Sequence, residues 1–207
     1  MKFAIVDYGM GNIHSLKSAL DYVSPDAEII LTSDHQGLLE ADMIFLPGVG
    51  HFKSAMDKLE DLGLVQSLRQ LVLKENKPIL GICLGMQLLF KDSNEGGVNP
   101  GLALLDAEVR DIPSGKEKVP HIGFNTVSPP KEGKMFDQIE NLDFYFVHSF
   151  CINDSEIEGA HKTLCDYNSR FVAAVEKGHI WGTQFHPEKS QYGGLKLIQN
   201  FIEAHGN

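Results

Sequence analysis

The sequence predicts an α/β fold: one domain spanning residues 1–207, built on an open, mixed, mostly parallel sheet flanked by helices, in the flavodoxin-like manner. Three observations carry this. Short apolar runs alternate with helical patterns through the first half, the signature of stacked βαβ units. From about residue 100 the apolar runs follow one another with few helical patterns between them, so the later strands read as more antiparallel. No low-complexity linker, internal repeat or composition break divides the 207 residues, a length of one or two domains.

The elements follow in order. Phe3–Asp7 reads as the first strand, and Asn12 stands where it can cap a helix whose apolar residues Ile13, Leu16, Leu20 and Val23 recur at helical spacing. Residues 27–31 and 43–46 are the next strands; Pro47-Gly48-Val49-Gly50 ends the second with a turn, and this loop is a candidate site wall. Leu64, Leu68, Leu71 and Val72 define another amphipathic helix. Pro78 introduces a buried strand over 79–82, and a helix is expected from there through Phe90. Residues 91–100 are polar and glycine-rich. Strands are expected over 107–112, 119–124, 144–148, 171–175 and 180–185, and a closing helix over 195–205.

Composition excludes several functions. A hydrophobic content of 43% is that of a chain with a core. Eighteen Lys+Arg against 28 Asp+Glu give a net charge of -10, which repels phosphate backbones and anionic membranes, so no nucleic-acid or membrane partner is expected. The longest nearly unbroken apolar run, 79–90, contains two glycines and Gln87 and is too short to span a bilayer. Asp7 interrupts the N-terminal apolar run before a signal-peptide core forms, so a cytoplasmic location is expected. Of three cysteines at least one must be free.

The strongest local signal is Gly81-Ile82-Cys83-Leu84-Gly85, a nucleophile framed by glycines between a buried strand and a helix, as in a nucleophile elbow with Cys for Ser. The helix directs its free N–H groups and positive dipole end at the sulfur, which favours a thiolate. The same N–H groups, Leu84 first, can bind an oxyanion. A thiol needs a base, and nine histidines are too many for counting to choose. His186-Pro187-Glu188 follows directly after a strand; residues two apart on an extended chain project to one side, so Glu188 can orient the His186 ring. His121 and His148, at strand ends, read as satisfied structural or interface histidines, and Cys151 and Cys165 as bystanders. No ligand set for a metal is recognisable. Gly9-Met10-Gly11-Asn12 fails as a dinucleotide fingerprint because His14 stands where the third glycine belongs. No cofactor is expected.

With Pro47-Gly48-Val49-Gly50, Gly81-Ile82-Cys83-Leu84-Gly85-Met86-Gln87 and His186-Pro187-Glu188-Lys189-Ser190 in view, the chain resembles the class I (triad) glutamine amidotransferases, and among them the glutaminase subunits of imidazole glycerol phosphate synthases. The resemblance runs from Asp7-Tyr8-Gly9-Met10-Gly11-Asn12 through Pro120-His121-Ile122-Gly123 and Phe146-Val147-His148-Ser149 to the end of the chain. Two departures stand out: Phe124 where the family usually shows Trp, and Phe150 where it often shows Tyr.

The resemblance implies that Cys83 attacks the side-chain amide of L-glutamine, that His186 shuttles the proton and that Glu188 holds the ring. It implies an oxyanion hole of Leu84 with Val49 or Gly50 from the Pro47–Gly50 loop, which reorients when the synthase partner is occupied. Gln87, Glu95, Ser149 and Phe150 match positions that hold glutamine, and a carboxylate at Glu95 suits the substrate ammonium. Asn12, Phe124 and Lys189 match positions at the face of a (βα)8-barrel subunit, with which the chain is expected to form a heterodimer and which uses the ammonia to cleave and cyclise its substrate. Two alternatives stay open: the same chemistry feeding another synthase, such as one amidating surface sugars, or a silent scaffold with a relic elbow.

Overall fold

The computed structural model of the chain describes residues 1–154 and 157–206. Its first half is laid down as β1 (Lys2–Val6), α1 (Ile13–Val23), β2 (Glu28–Thr32), α2 (His35–Glu40), β3 (Met43–Gly48), α3 (Phe52–Asp61), α4 (Leu64–Leu73), β4 (Ile79–Cys83) and α5 (Leu84–Leu88). There follow β5 (Phe90–Ser93), β6 (Asn99–Pro100), β7 (Leu105–Asp111), β8 (His121–Thr126), β9 (Asp143–His148), β10 (Phe150–Asn153), β11 (His161–Tyr167), β12 (Ser169–Lys177) and β13 (Ile180–Thr183). A 3₁₀ turn over Pro187–Lys189 and α6 (Gln191–His205) close the chain.

The main sheet runs β2-β1-β3-β4-β13-β12-β10-β7-β5-β6, with β11 paired to β12. From β2 to β13 the pairs are parallel; from β13 through β12 and β10 to β7 they are antiparallel. The inner parallel strands β1, β3, β4 and β13 are covered on both faces, which is why they read as continuous apolar runs, whereas the edge strand β2 is half-exposed. Alternation along each strand divides two cores: Phe3, Ile5, Phe45, Leu80 and Ile82 join Leu16, Leu20, Trp181, Leu197 and Phe201 beneath α1 and α6, whereas Ala4, Val6, Ile44, Leu46 and Ile79 join Leu38, Leu59, Leu68 and Leu71 beneath α2, α3 and α4.

The helix expected through Phe90 stops at Leu88. The segment entering β7 captures the carbonyls that a longer helix would use: Leu102 N–H donates to Leu88 O and Leu104 N–H to Leu89 O, both at 2.8 Å, and Phe90 starts a strand instead. Two helices lie where none was read. Helix α2 spans only six residues, with Asp34 accepting the Gly37 N–H at 2.8 Å, and α3 buries only Phe52, Ala55 and Leu59 among charged neighbours, too narrow a stripe to stand out. Strands β8 and β9 pair with each other in a ribbon outside the main sheet. Among the described residues no helix is long and apolar enough to cross a membrane.

The register that matters for the site is Gly48 opposite Cys83 on β3 and β4, and Thr183 opposite Ile82 on β13 and β4. Three parallel strands therefore end side by side, and the loops after them meet at the carboxyl edge of the sheet, where open α/β folds bind ligands.

Candidate active site

Cys83 ends β4 with φ 56° and ψ -113°, a conformation L-residues seldom adopt, and α5 begins at the next residue. Holding it costs on the order of 1–3 kcal/mol, supplied by the packing of the elbow. Gly81 permits that packing, since a Cβ there would meet Met86 Cα at 2.8 Å. The thiol can donate to Val147 O at 3.8 Å, and Gln184 Nε2 donates to the sulfur at 3.9 Å.

His186 leaves β13 in extended conformation with φ -97° and ψ 98°. Its N–H donates to Tyr145 O at 2.9 Å, and its carbonyl accepts from Ser190 Oγ at 2.7 Å. The Ser190 hydroxyl also accepts the Tyr145 N–H at 3.0 Å, so the segment is fastened to β9. Nδ1 of His186 pairs with Glu188 Oε1 at 2.8 Å, both side chains being 2% exposed. The contact is made by the 3₁₀ turn beginning at Pro187, which brings the carboxylate back to the ring; it does not come from the extended spacing that the sequence suggests.

Among the described residues, His186 Nε2 and Glu188 Oε2 are buried without a hydrogen-bond partner. Burial opposes charge on the ring, but its interactions with Cys83 and Glu188 outweigh that and raise the His186 pKa to about 9. The ring is thus fixed through Nδ1, with Nε2 left to exchange a proton with the sulfur. Burial pushes the Cys151 and Cys165 thiols up to about 12, which leaves both inert at neutral pH.

Cys83 and His186 open into a cavity of about 410 Å³. Leu84, Val49 and Gly50 line it, as do Gln87, Glu95, Ser149 and Phe150, so the residues expected to bind oxyanion and substrate are brought together from four separate stretches of sequence. Gln87 Nε2 donates to Phe150 O at 2.8 Å and to Gln184 Oε1 at 2.9 Å. Glu95 Oε2 accepts the first N–H of α3, from Phe52, at 2.7 Å. Glu188 lies behind His186, away from the cavity wall.

The Pro47–Gly50 loop has a defined peptide orientation. Ile44 N–H donates to Pro78 O, so alternate residues of β3, including Gly48, turn their N–H and C=O toward β4. Pro47 turns the other way, and its carbonyl accepts the buried Tyr8 hydroxyl at 2.9 Å. The Gly48 carbonyl consequently points toward the corner of Cys83 and Leu84. The Val49 N–H, across the same trans peptide plane, points away from it. Gly50 follows at φ 107°, a value glycine adopts without strain.

Phe124 lies on the β8–β9 ribbon with 54% of its surface exposed, its ring 5.6 Å from that of Tyr145. Lys189 Nζ sits 5.8 Å from the centre of the same Tyr145 ring. Asn12 occupies the N-cap position of α1 but makes no side-chain capping bond, and α1 packs against the 3₁₀ turn that carries Lys189.

Sequence reasoning gave no site role to Gln184, His51, Pro120 or Val147, although Pro120 and Val147 stand in two of the segments that carry the resemblance; Gln184 touches the sulfur, and the other three line the cavity. His121 and His148 are satisfied as expected: their rings meet at 3.0 Å, and burial lowers them to about 4 and about 3. His148 nevertheless forms part of the cavity wall.

A family profile described as "Glutamine amidotransferase class-I" matches residues 4–204. The imidazole glycerol phosphate synthase subunit HisH of Moorella thermoacetica is 45% identical over 201 residues, covering 97% of this chain and 93% of that protein. The HisH subunit of Aquifex aeolicus is 44% identical over 202 residues, covering 97% and 96%. A crystal structure of a glutamine amidotransferase superposes with a TM-score of 0.76 at 18% identity, covering 99% of each chain, a likeness of fold.

Proposed function

The chain belongs to the class-I glutamine amidotransferases, and from that premise we propose that it hydrolyses L-glutamine through Cys83, His186 and Glu188 and passes the ammonia to the other subunit of an imidazole glycerol phosphate synthase. The observation that carries this reading is the strained Cys83 at the mouth of the cavity, beside a histidine whose far nitrogen is held by a buried carboxylate.

With its proton already held on His186 Nε2, Cys83 attacks the side-chain amide carbon of glutamine as the thiolate, forming a tetrahedral oxyanion. Collapse expels the amide nitrogen, which takes the proton from His186 and leaves as ammonia, with a glutamyl thioester on Cys83. Water then gives a proton to His186 and attacks the thioester; glutamate leaves and the thiol is restored. Glu188 keeps Nδ1 protonated and stabilises the imidazolium in both halves. Glu95 receives the substrate ammonium, with Gln87, Ser149 and Phe150 shaping the rest of the pocket.

The oxyanion is held by Leu84 N–H at the start of α5 and by Val49 N–H once the Gly48–Val49 peptide has rotated. In the orientation described above, the Gly48 carbonyl faces the place where the oxyanion forms, and a carbonyl there repels negative charge. Rotation exchanges the carbonyl for an N–H, and docking of the synthase subunit drives it. That subunit, a (βα)8 barrel forming a heterodimer with this chain, covers Asn12, Phe124 and Lys189. It uses ammonia to cleave and cyclise a phosphoribulosyl-formimino carboxamide ribonucleotide into imidazole glycerol phosphate and aminoimidazole carboxamide ribonucleotide. Residues 1–207 act as one amidotransferase domain, and the three free thiols suit a reducing cytoplasm.

The test is reconstitution with the synthase subunit. Cys83→Ala abolishes synthesis driven by glutamine and leaves synthesis driven by free ammonia intact. Loss of both activities in a folded complex overturns the division of labour, and retention of glutamine-driven synthesis overturns the role of Cys83.

A further inference from the structure

The carboxylate proposed to receive the glutamine ammonium is already occupied from within the chain. Glu95 Oε2 is committed to the first backbone N–H of α3, and the Glu95 N–H donates to Ser93 Oγ at 3.2 Å, so the carboxylate is fixed in place. Oε1 meets Nδ1 of His51 at 2.8 Å, and His51 is the only ion-pair partner of Glu95 among the described residues. The two partners differ sharply in exposure. The Glu95 side chain is 14% exposed, whereas that of His51 is 79% exposed and makes no capping bond to α3, at whose N-cap position it stands. The contact survives either protonation state, because a neutral ring donates from Nδ1–H and a charged one adds an ion pair.

We propose that His51 is a specificity-determining residue of the glutamine site: its ring holds Glu95 Oε1 until the α-ammonium of the substrate displaces it. The inference rests on Glu95 being the ammonium subsite. His51 then acts as a brake felt only by ligands that carry a cation at this position, since a ligand without one leaves the pair undisturbed. Its place in the chain gives the exchange a second consequence. His51 directly follows Gly50, so releasing the ring frees the end of the Pro47–Gly50 loop that must rotate for catalysis, and ammonium binding is tied to loop movement.

The test compares glutamine with glutaramate, the same molecule without its amino group, in the complex with the synthase subunit. With His51→Ala or His51→Gln, the KM for glutamine falls about two- to five-fold, the range of an ion pair with one exposed partner, while kcat in the activated complex and the inhibition constant of glutaramate stay put. Glu95→Gln raises the KM for glutamine at least about tenfold and again spares glutaramate. An unchanged or higher glutamine KM in both His51 variants, with Glu95→Gln behaving as stated, overturns the brake alone. An equal shift for glutamine and glutaramate overturns it too, since that marks a general disturbance of the pocket. If Glu95→Gln leaves the glutamine KM unchanged, the ammonium subsite is elsewhere and the brake fails with it.

Discussion

A β-carbon placed on Gly85 would stand 1.8 Å from the carbonyl oxygen of Leu46. Helix α5 thus starts in direct contact with the backbone of β3, and that contact holds Cys83 in its unusual conformation above the end of the sheet. Gly85→Ala is accordingly expected to cost at least about 3 kcal/mol, the upper range for overpacking, because neither backbone can give way. Urea unfolding of the purified variant measures it. A midpoint equal to that of the wild type would mean that the elbow is not packed as described.

Within the triad, His186→Ala should lower glutamine hydrolysis nearly as far as removing the thiol, and Glu188→Gln should lower it less, because residues that act as a unit lose their effect together and the orienting acid contributes least. Rates of the three variants in the complex decide it. Alkylation of Cys83 followed against pH supplies a direct readout: a profile unaltered by His186→Ala, with hydrolysis intact, removes His186 as the base.

The raised pKa of His186 also has a thermodynamic consequence. A histidine in the unfolded chain titrates near 6.5 and this one at about 9, so the folded state holds the proton more tightly. The stability this adds is complete below about pH 6.5 and is lost as pH rises through about 9. The stability gap between the wild type and His186→Gln should therefore shrink across that interval when unfolding midpoints are compared at each pH. A gap constant from pH 6 to 10 would contradict the assignment.

Alone, the chain is expected to hydrolyse glutamine slowly, and the synthase subunit with its ligand should accelerate it at least about a hundred-fold, the usual value of one oxyanion donor. Gly50→Pro should abolish the acceleration while sparing ammonia-driven synthesis, since proline locks φ near -65° where the loop has 107° and removes an N–H. Steady-state glutamine turnover with and without partner is the measurement, and equal turnover in both conditions would mean that the loop does not move.

Phe124→Asp should weaken binding to the synthase subunit at least about tenfold and leave thermal unfolding unaltered, as the ring is half exposed and an aromatic anchor at an interface carries a disproportionate share of affinity. Titration of labelled chain with the barrel subunit reads this out. Unaltered affinity would place the docking face elsewhere.

The sequence by itself determined the parallel half of the fold, because strands buried on both faces need unbroken apolar runs such as 43–46 and 79–82, and the helices beside them show their stripes. It also singled out Cys83 as the candidate nucleophile: the spacing of Gly81, Cys83 and Gly85 is a local steric demand of a strand turning into a helix. The family was legible for the same reason, in short motifs whose chemistry is local. The end of α5 was decided by tertiary structure, where the segment after residue 100 returns to take the carbonyls of Leu88 and Leu89. So was the way Glu188 reaches His186, since a turn and an extended chain both place residues two apart within range. The pairing of His51 with Glu95, the contact of Gln184 with the sulfur and the orientation of the Gly48–Val49 peptide had no sequence signal at all. Each joins chain segments whose separation is set by sheet register, and register emerges only when the whole sheet has formed.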